Sequence, residues 1–422
     1  MHKTVVNPIT QEITGTIHIP ASKSHAQRVL ACALMNPQLT IIRGIGSSDD
    51  EQAVLGVLKT LGSKIDKHDD ALYIYGIDFD KLSKQEIFIG ESGLASRMLT
   101  PLMALAHEPM TITGHGSILQ RPMHFFEEIL PKLNVQIASE YGKLPLTVCG
   151  PLIPKNIIVD GALSSQFITG LIMAFVGSHF TKNEHITIEN PTSIPYIKLT
   201  IQTLLEFSHD VKFDGAQIHF NGPYKWKETE IQIEGDWSSA AFFMVAAALF
   251  GSITLENLSI ESTQADKAIL DVLESFGAEI KIEENSISIT KKDLRSFHFD
   301  ATNAPDLFPI LAVLAAYGTE TSSIKGVHRL FSKESNRAEA ILTEFSKFGA
   351  KMSIENDTLF IEPQNSYTGA TINPHSDHRM VMAAAIFALG AKEKTTLLHP
   401  EVCAKSFPSF FEVLELIQSI KD

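Results

Sequence analysis

The chain has 422 residues, which at about 150 residues per domain is enough for two or three domains. It is 44% hydrophobic and 20% charged, so it can bury a large core, and its formal net charge of −14 disfavours nucleic-acid or anionic-membrane partners. Cys32, Cys149 and Cys403 are too far apart to form a CxxC pair, which leaves no sign of a disulfide framework or cysteine zinc site; the first residues lack the apolar run of a signal peptide, so the cytoplasm is the expected compartment.

Along the chain, the first segment that breaks the regular pattern is PASKSHAQRVLACALM from Pro20, which predicts an apolar helix. Lys23 and Ser24 sit at its mouth and Arg28 lies one turn inside. Ser there is an ordinary cap, but cations at a helix N-terminus oppose the dipole unless an anion joins them. FIGESGLASRMLTPLMAL from Phe88 has a Gly-x-Ser-Gly turn ending at Gly93, where backbone N–H groups can approach a ligand closely. LQRPM sets Arg121 before a proline. GALSSQFITGLIMAF puts Ser164, Ser165 and Gln166 at the head of another apolar helix, a donor set that suits a phosphate or a hydroxylated ring. SIPYIKLT carries Ser193 and Tyr196. GDWSSAAFF from Gly235 repeats the Ser-Ser head, either as a second site or as plain capping.

The C-terminal part continues with APDLFPI, which contains Asp306, and FSKESNRAEA, which contains Lys333, Glu334 and Arg337. If this run is helical, Lys333 and Arg337 share a face; a solvated charged run is the ordinary meaning of such a string. SDHRMVMAAAIFAL opens a nearly all-apolar helix with Asp377 as a cap, His378, and Arg379, which needs an anionic partner there. CAKSFPSFFEVL places Lys405 before the last helix.

Beneath these motifs runs a repeat of about 70 residues, longer than the usual solenoid period, in which an apolar-periodic helix ends in a turn and an alternating strand follows. It occurs at Val57, Ile129, Leu204, Val272 and Phe345, and a sixth helix closes the chain. Gly62, Gly277 and Gly349 stand where a helix C-cap needs a left-handed residue. Two domains of three units each, in an α/β or α+β class with mixed sheets, follow from the count. The Ala-rich helices at Ala240–Phe250 and Ile310–Gly318, apolar nearly all round, are expected to be buried.

Taken in order, eight of these motifs make the chain resemble the 5-enolpyruvylshikimate-3-phosphate synthase family from Ser22 to Ala404, including SDDEQAVLGVLKTLG from Ser48. The resemblance implies an inside-out barrel of two domains, each built from three β-α-β-α-β-β-like units. One domain would span residues 19–231 on the shikimate 3-phosphate side. The other would join residues 1–18 to 232–422 and carry the catalytic acids, with the active site in the cleft between them. It implies transfer of the enolpyruvyl group of phosphoenolpyruvate to the 5-hydroxyl of shikimate 3-phosphate, with release of phosphate and with no metal or cofactor. It also implies a monomer, with no nucleic-acid or membrane partner.

By the same resemblance Lys23, Ser24, Arg28, Ser164, Ser165, Gln166, Ser193, Tyr196, Asp306 and Lys333 hold shikimate 3-phosphate. Lys23, Gly93, Arg121, Gln166, Arg337, Arg379 and Lys405 hold phosphoenolpyruvate. Two phosphates and two carboxylates carry about five to six negative charges, which the listed lysines and arginines neutralise locally despite the acidic whole. Asp306, helped by Lys23, serves as the base at the hydroxyl, and Glu334 as the acid-base group at the methylene.

Three positions depart from the family pattern. Glu91-Ser92-Gly93-Leu94 replaces Asn-Ala-Gly-Thr, Arg329 replaces an Asn, and Trp237 replaces a small residue. A carboxylate at 91 would repel phosphoenolpyruvate unless something engages it, so the first two bear on that substrate's affinity and on sensitivity to the phosphonate glyphosate. The sister family that uses UDP-N-acetylglucosamine has Lys-Asn in the first motif and a reactive cysteine near the Arg121 segment. Here Ser24 follows Lys23 and no cysteine lies there. A non-catalytic anion binder would not need both Asp306 and Glu334.

Overall fold

The computed structural model describes residues 2–284, 286–331 and 333–419. Every helix-then-strand repeat is present. Asp49–Thr60 leads to Lys64–His68, His124–Ile129 to Gln136–Glu140, and Ile194–Glu206 to Lys212–Phe213. Ile269–Phe276 leads to Glu279–Ile282, Arg337–Ser346 to Lys351–Glu355, and Phe410–Ser419 is the sixth helix of this kind. Gly62, Gly277 and Gly349 take φ of 92°, 97° and 94°, the left-handed region that stops a helix and turns the chain back as a strand. In the second repeat Asn134 does the same at φ 69°.

Ahead of each of these half-exposed helices in its repeat stands a helix of another kind. Lys23–Met35, Gly93–Met103, Ser165–Gly177, Trp237–Phe250, Phe308–Ala316 and His378–Leu389 are buried along almost their whole length. The first three pack on one another, and so do the last three. A helix apolar on all sides has no face for water, so each triplet forms the centre of its own core. At their N-termini such helices present backbone N–H groups that lack intrahelical partners. Ser22, Ser92, Ser164, Asp236 and Asp377 cap these ends, each side chain accepting a backbone N–H.

Among the described residues, five four-stranded sheets repeat one topology, a parallel pair followed by an antiparallel hairpin, while Lys3–Val6, Thr395–Leu398 and Thr371–Ile372 form a separate three-stranded sheet. Gln85–Phe88 runs parallel to Met110–Thr113, which pairs with Lys143–Cys149, which in turn pairs with Gln136–Glu140. The sheets that begin with Ile157–Asp160 and His298–Asp300 copy this order. In two sheets the first strand comes from elsewhere. Ile13–His18 precedes the Lys23–Met35 helix, yet pairs with Gly251–Glu256. Thr229–Gln232 precedes the Trp237–Phe250 helix, yet pairs with Leu39–Arg43. The chain thus changes unit twice and leaves a strand behind each time.

The two compact units are residues up to Pro20 with those from Gly235 on, and Ala21–Glu234. The switches fall after Pro20 and Glu234 rather than after 18 and 231, because the backbone of Ile19 still bonds to Glu256 and that of Ile233 to Arg43. Among the described residues no helix is long and apolar enough to cross a membrane.

Candidate active site

In the Ala21–Glu234 unit most of the residues expected to bind substrate lie at or near the N-termini of helices. Arg28 is 1% exposed and joins all three elements it faces: Nε donates to Thr200 Oγ1 at 2.9 Å, Nη2 to Thr169 Oγ1 and the Tyr196 carbonyl at 3.3 Å, and Nη1 to the Ser24 carbonyl at 2.7 Å. These partners are neutral, and among the described residues no carboxylate forms a salt bridge with Arg28. Burial lowers its pKa to about 10, partly offset by Tyr196 and Cys32. A buried guanidinium without a counter-ion is costly, and an arriving anion relieves that cost. Lys23 is partly buried and pairs with Asp50 at 3.1 Å.

Gln166 accepts Arg97 Nη1 at 2.6 Å, and the Arg97 guanidinium lies 4.9 Å from the centre of the Phe167 ring. Gly170 explains why they meet. A Cβ there would lie 2.3 Å from the Arg97 carbonyl oxygen, so only glycine lets the Gly93–Met103 and Ser165–Gly177 helices approach this closely. Ser164 uses its hydroxyl oxygen as a cap, accepting the Gln166 N–H at 3.2 Å, while Ser165 is buried in the first turn. Ser193 is buried and holds φ 51° at the head of the Ile194–Glu206 helix.

Gly93 and Arg121 form a steric pair. A Cβ on Gly93 would lie 2.4 Å from Arg121 Nη1, so the guanidinium rests on the bare α-carbon. Glu91 is turned onto the neighbouring loop, where Oε1 accepts the Ser117 N–H at 2.5 Å and fills the space over Gly116. A backbone donor therefore engages the carboxylate that stands in place of the family's Asn.

In the other unit Arg337 is the hub, with a side chain 1% exposed. Nη1 donates to Asp306 Oδ1 at 2.7 Å, Nη2 to Glu334 Oε2 at 2.7 Å, and Nε to Asp377 Oδ2 at 2.7 Å. Asp306 also takes Lys333 Nζ at 3.0 Å and Arg379 Nη2 at 3.1 Å. Burial alone would raise the Asp306 carboxyl, but Arg379, Lys333 and Arg337 outweigh it and hold it well below the usual carboxylate range. Lys333 is lowered by burial against the pull of Asp306. Arg337 would also be lowered by burial, but Asp377, Glu334 and Asp306 raise it.

The expected shared helix face of Lys333 and Arg337 is not found. Asn336 accepts the Glu339 N–H as N-cap, so the helix starts at Arg337 and Lys333 reaches Asp306 from the preceding turn. Lys405 is buried at the end of the turn Pro400–Lys405, which packs on the His378–Leu389 helix.

The second Ser-Ser head does not mirror the first. Ser239 donates its N–H to the Asp236 cap, and Ser238 Oγ donates to the buried carboxylate of Asp266, which would repel an anion. Trp237 is fully buried and donates its indole N–H to the Ser259 carbonyl. Arg329 is largely buried, which lowers its pKa, and the Asp306 carboxylate offsets part of that.

Sequence reasoning did not single out Asp50, Arg97, Asp266 or the clamp role of Asp377. A lone arginine in the apolar run GLASRMLTPLM was the available signal for Arg97. The other three look like helix caps or surface acids until the fold sets cations or hydroxyls beside them.

Residues 8–414 match the family model described as EPSP synthase (3-phosphoshikimate 1-carboxyvinyltransferase). The chain belongs to the EPSP synthase family. A 3-phosphoshikimate 1-carboxyvinyltransferase from Clostridium kluyveri is 34% identical over 410 residues, covering 96% of this chain and 95% of that protein. One from Pyrococcus abyssi is 33% identical over 406 residues, covering 95% and 94%. Among solved structures, an EPSP synthase from Acinetobacter baumannii matches with TM-score 0.84 at 26% identity, covering 99% of this chain and 98% of that one. The enolpyruvyl transferase NikO from Streptomyces tendae, at 14% identity and TM-score 0.78 over 98% and 97% of the two chains, shares the fold.

Proposed function

We infer that this chain transfers the enolpyruvyl group of phosphoenolpyruvate to the 5-hydroxyl of shikimate 3-phosphate, releasing inorganic phosphate, in the shikimate route to aromatic amino acids. Ser24, Arg28, Ser164, Ser165, Gln166, Ser193, Tyr196 and Lys333 bind shikimate 3-phosphate. Lys23, Gly93, Arg121, Gln166, Arg337, Arg379 and Lys405 bind phosphoenolpyruvate, with Arg97 orienting the Gln166 amide. The observation that carries the reading is the knot of Asp306 and Glu334 on Arg337, with Lys333 and Arg379 also on Asp306. A binding site alone needs the cations, whereas a proton-transfer reaction needs the acids among them.

The knot also supplies a gate. With three cations upon it, Asp306 is too weak a base to take a hydroxyl proton. Substrate anions that engage Arg379, Arg337 and Lys333 cancel that field. The carboxylate then becomes a stronger base, so the base is armed once substrate charge arrives. Attack of the 5-hydroxyl on C2 then passes its proton to Asp306, helped by Lys23, while Glu334 protonates C3 to give a tetrahedral phosphate ketal. Phosphate then leaves, taking up the proton from Asp306, and C3 returns its proton to Glu334, which completes the exchange. We take the enzyme to act as a cytoplasmic monomer without nucleic-acid or membrane partners, in line with its acidic charge.

The test is phosphate release from phosphoenolpyruvate with shikimate 3-phosphate or, separately, UDP-N-acetylglucosamine as acceptor. Release with shikimate 3-phosphate alone is expected. Release only with the nucleotide sugar would overturn the acceptor assignment, and release with neither from folded protein would overturn the enzyme reading.

A further inference from the structure

Two turns beyond Arg337 on the same helix stands a carboxylate that the mechanism does not use. The Glu344 side chain is 2% exposed and both its oxygens are engaged. Oε2 accepts the Asn373 N–H at 2.8 Å and Lys347 Nζ at 2.6 Å, and Oε1 meets His375 Nε2 at 3.0 Å. The Asn373 side chain accepts the His375 N–H at 3.0 Å. These bonds hold a loop in an uncommon conformation: His375 and Ser376 take φ of 53° and 60° in succession, a region that side chains rarely adopt and that glycine adopts freely.

The next residue is Asp377. Its carboxylate takes Arg337 Nε at 2.7 Å and Nη2 at 3.3 Å, and it caps the helix that carries Arg379. Two clamps therefore tie the same pair of segments, one at Arg337–Asp377 and one at Glu344. Between them lies a cavity of about 270 Å³ lined by Ser335, Asn336, Glu339, Ala340, Thr343 and His375. Pro374 is buried, whereas Asn373, His375 and Ser376 are exposed, so at these three positions hydrogen bonds contribute more than packing to holding the loop.

We propose that Glu344 is a positioning residue, which pins the 373–376 loop with His375 and Ser376 in their left-handed form and so fixes Asp377, and through it Arg337, where Arg337 meets phosphoenolpyruvate. The proposal rests on the assignment of Arg337 to that substrate. Glu344 itself touches no reacting atom. Released from it, the loop relaxes toward ordinary backbone angles and Asp377 moves; a shift of about 1 Å at a positioning contact is enough for a tenfold or larger effect.

Four variants test this, each assayed for phosphate release and for shikimate 3-phosphate affinity by calorimetry, with hydrogen exchange followed at residues 373–377. Glu344→Ala is expected to raise KM for phosphoenolpyruvate about tenfold or more, leave kcat within about threefold, leave shikimate 3-phosphate affinity unchanged and speed exchange in the loop. Ser376→Gly alone, at an exposed position, keeps normal kinetics. Combined with Glu344→Ala it recovers most of the lost affinity, because glycine reaches φ near 60° without the steric cost that the clamp otherwise offsets. A general weakening of the helix would not be rescued by a glycine in a separate loop, so failure of that rescue overturns the proposal.

Should Glu344→Ala not fold, Glu344→Gln serves. It keeps an acceptor for Asn373 and loses the charge facing Lys347, so KM rises by a smaller factor; a normal KM overturns the proposal. Arg337→Met, run in parallel, separates the two readings. A normal KM there removes the substrate assignment, whereas a raised KM there with normal values in both Glu344 variants removes the positioning role.

Discussion

Placing a single methyl group on Gly93 tests the site where a backbone position touches a guanidinium. The added Cβ would lie 2.4 Å from Arg121 Nη1 and 3.0 Å from Cζ. Non-bonded heavy atoms settle at about 3.5 Å or more, so the guanidinium must retreat by about 1 Å. The fold has no reason to suffer. Gly93 opens the Gly93–Met103 helix outside the left-handed region, alanine is the better helix former by roughly 1 kcal/mol, and the Ser92 cap to the Ala95 N–H is unaffected. A hydrogen bond to a charged group is worth about 1.5–3 kcal/mol, so losing one from Arg121 to phosphoenolpyruvate predicts KM raised roughly 10- to 150-fold in Gly93→Ala. The assay is initial phosphate release against phosphoenolpyruvate concentration at saturating shikimate 3-phosphate, with thermal unfolding in parallel. A normal KM in a folded variant would refute the steric argument, and a lowered Tm beside a raised KM would show that the effect is not local to Arg121.

Glu334→Gln keeps an acceptor for Arg337 but has no proton to exchange, so substrate binding by calorimetry should persist while kcat falls by about 10²- to 10⁴-fold; near-normal turnover removes Glu334 from the chemistry. Asp266 is buried beside the Ser238 hydroxyl and its pKa is raised to about 6, chiefly by burial and then by the Asp306 charge. Its folded form therefore binds a proton more tightly than the unfolded chain, and stability falls as pH rises from about 4 to about 6, by about 3 kcal/mol in all. Asp266→Asn abolishes that fall. Urea midpoints should show the variant gaining on wild type between pH 4 and pH 8, and an equal difference at both pH values contradicts the assignment. Glu91→Gln keeps an acceptor for the Ser117 N–H and removes one negative charge, so KM for phosphoenolpyruvate should fall by a few fold. A rise of tenfold would mean that the carboxylate itself orders the loop.

Local chemistry settled much of this protein in advance. The C-cap glycines, Ser22, Ser92 and Ser164 at the helix mouths, and the all-apolar runs each depend on a few neighbouring residues, and each behaves as its own sequence dictates. The repeat could be counted, and the motifs in their order pointed to the family, because such signals are read within one turn of helix or one strand. Which strand completes which sheet could not be read this way. Ile13–His18 and Thr229–Gln232 look like any first strand of a repeat, and only the pairing with Gly251–Glu256 and Leu39–Arg43 shows that each belongs to the sheet of the other unit.

The state of the charges was also beyond the sequence. Asp306, Glu334 and Asp377 converge on Arg337 from segments up to 40 residues from it, and their ionisation depends on distances and burial that no local pattern carries. Likewise Asp266 reads as a surface acid in STQADKAIL, yet folding buries it against Ser238 and turns the second Ser-Ser head away from anion binding. Residue types and their order follow from the chain itself, because caps and apolar periodicity act over a few bonds. Electrostatics and strand pairing act through space, so they are decided only when distant segments meet.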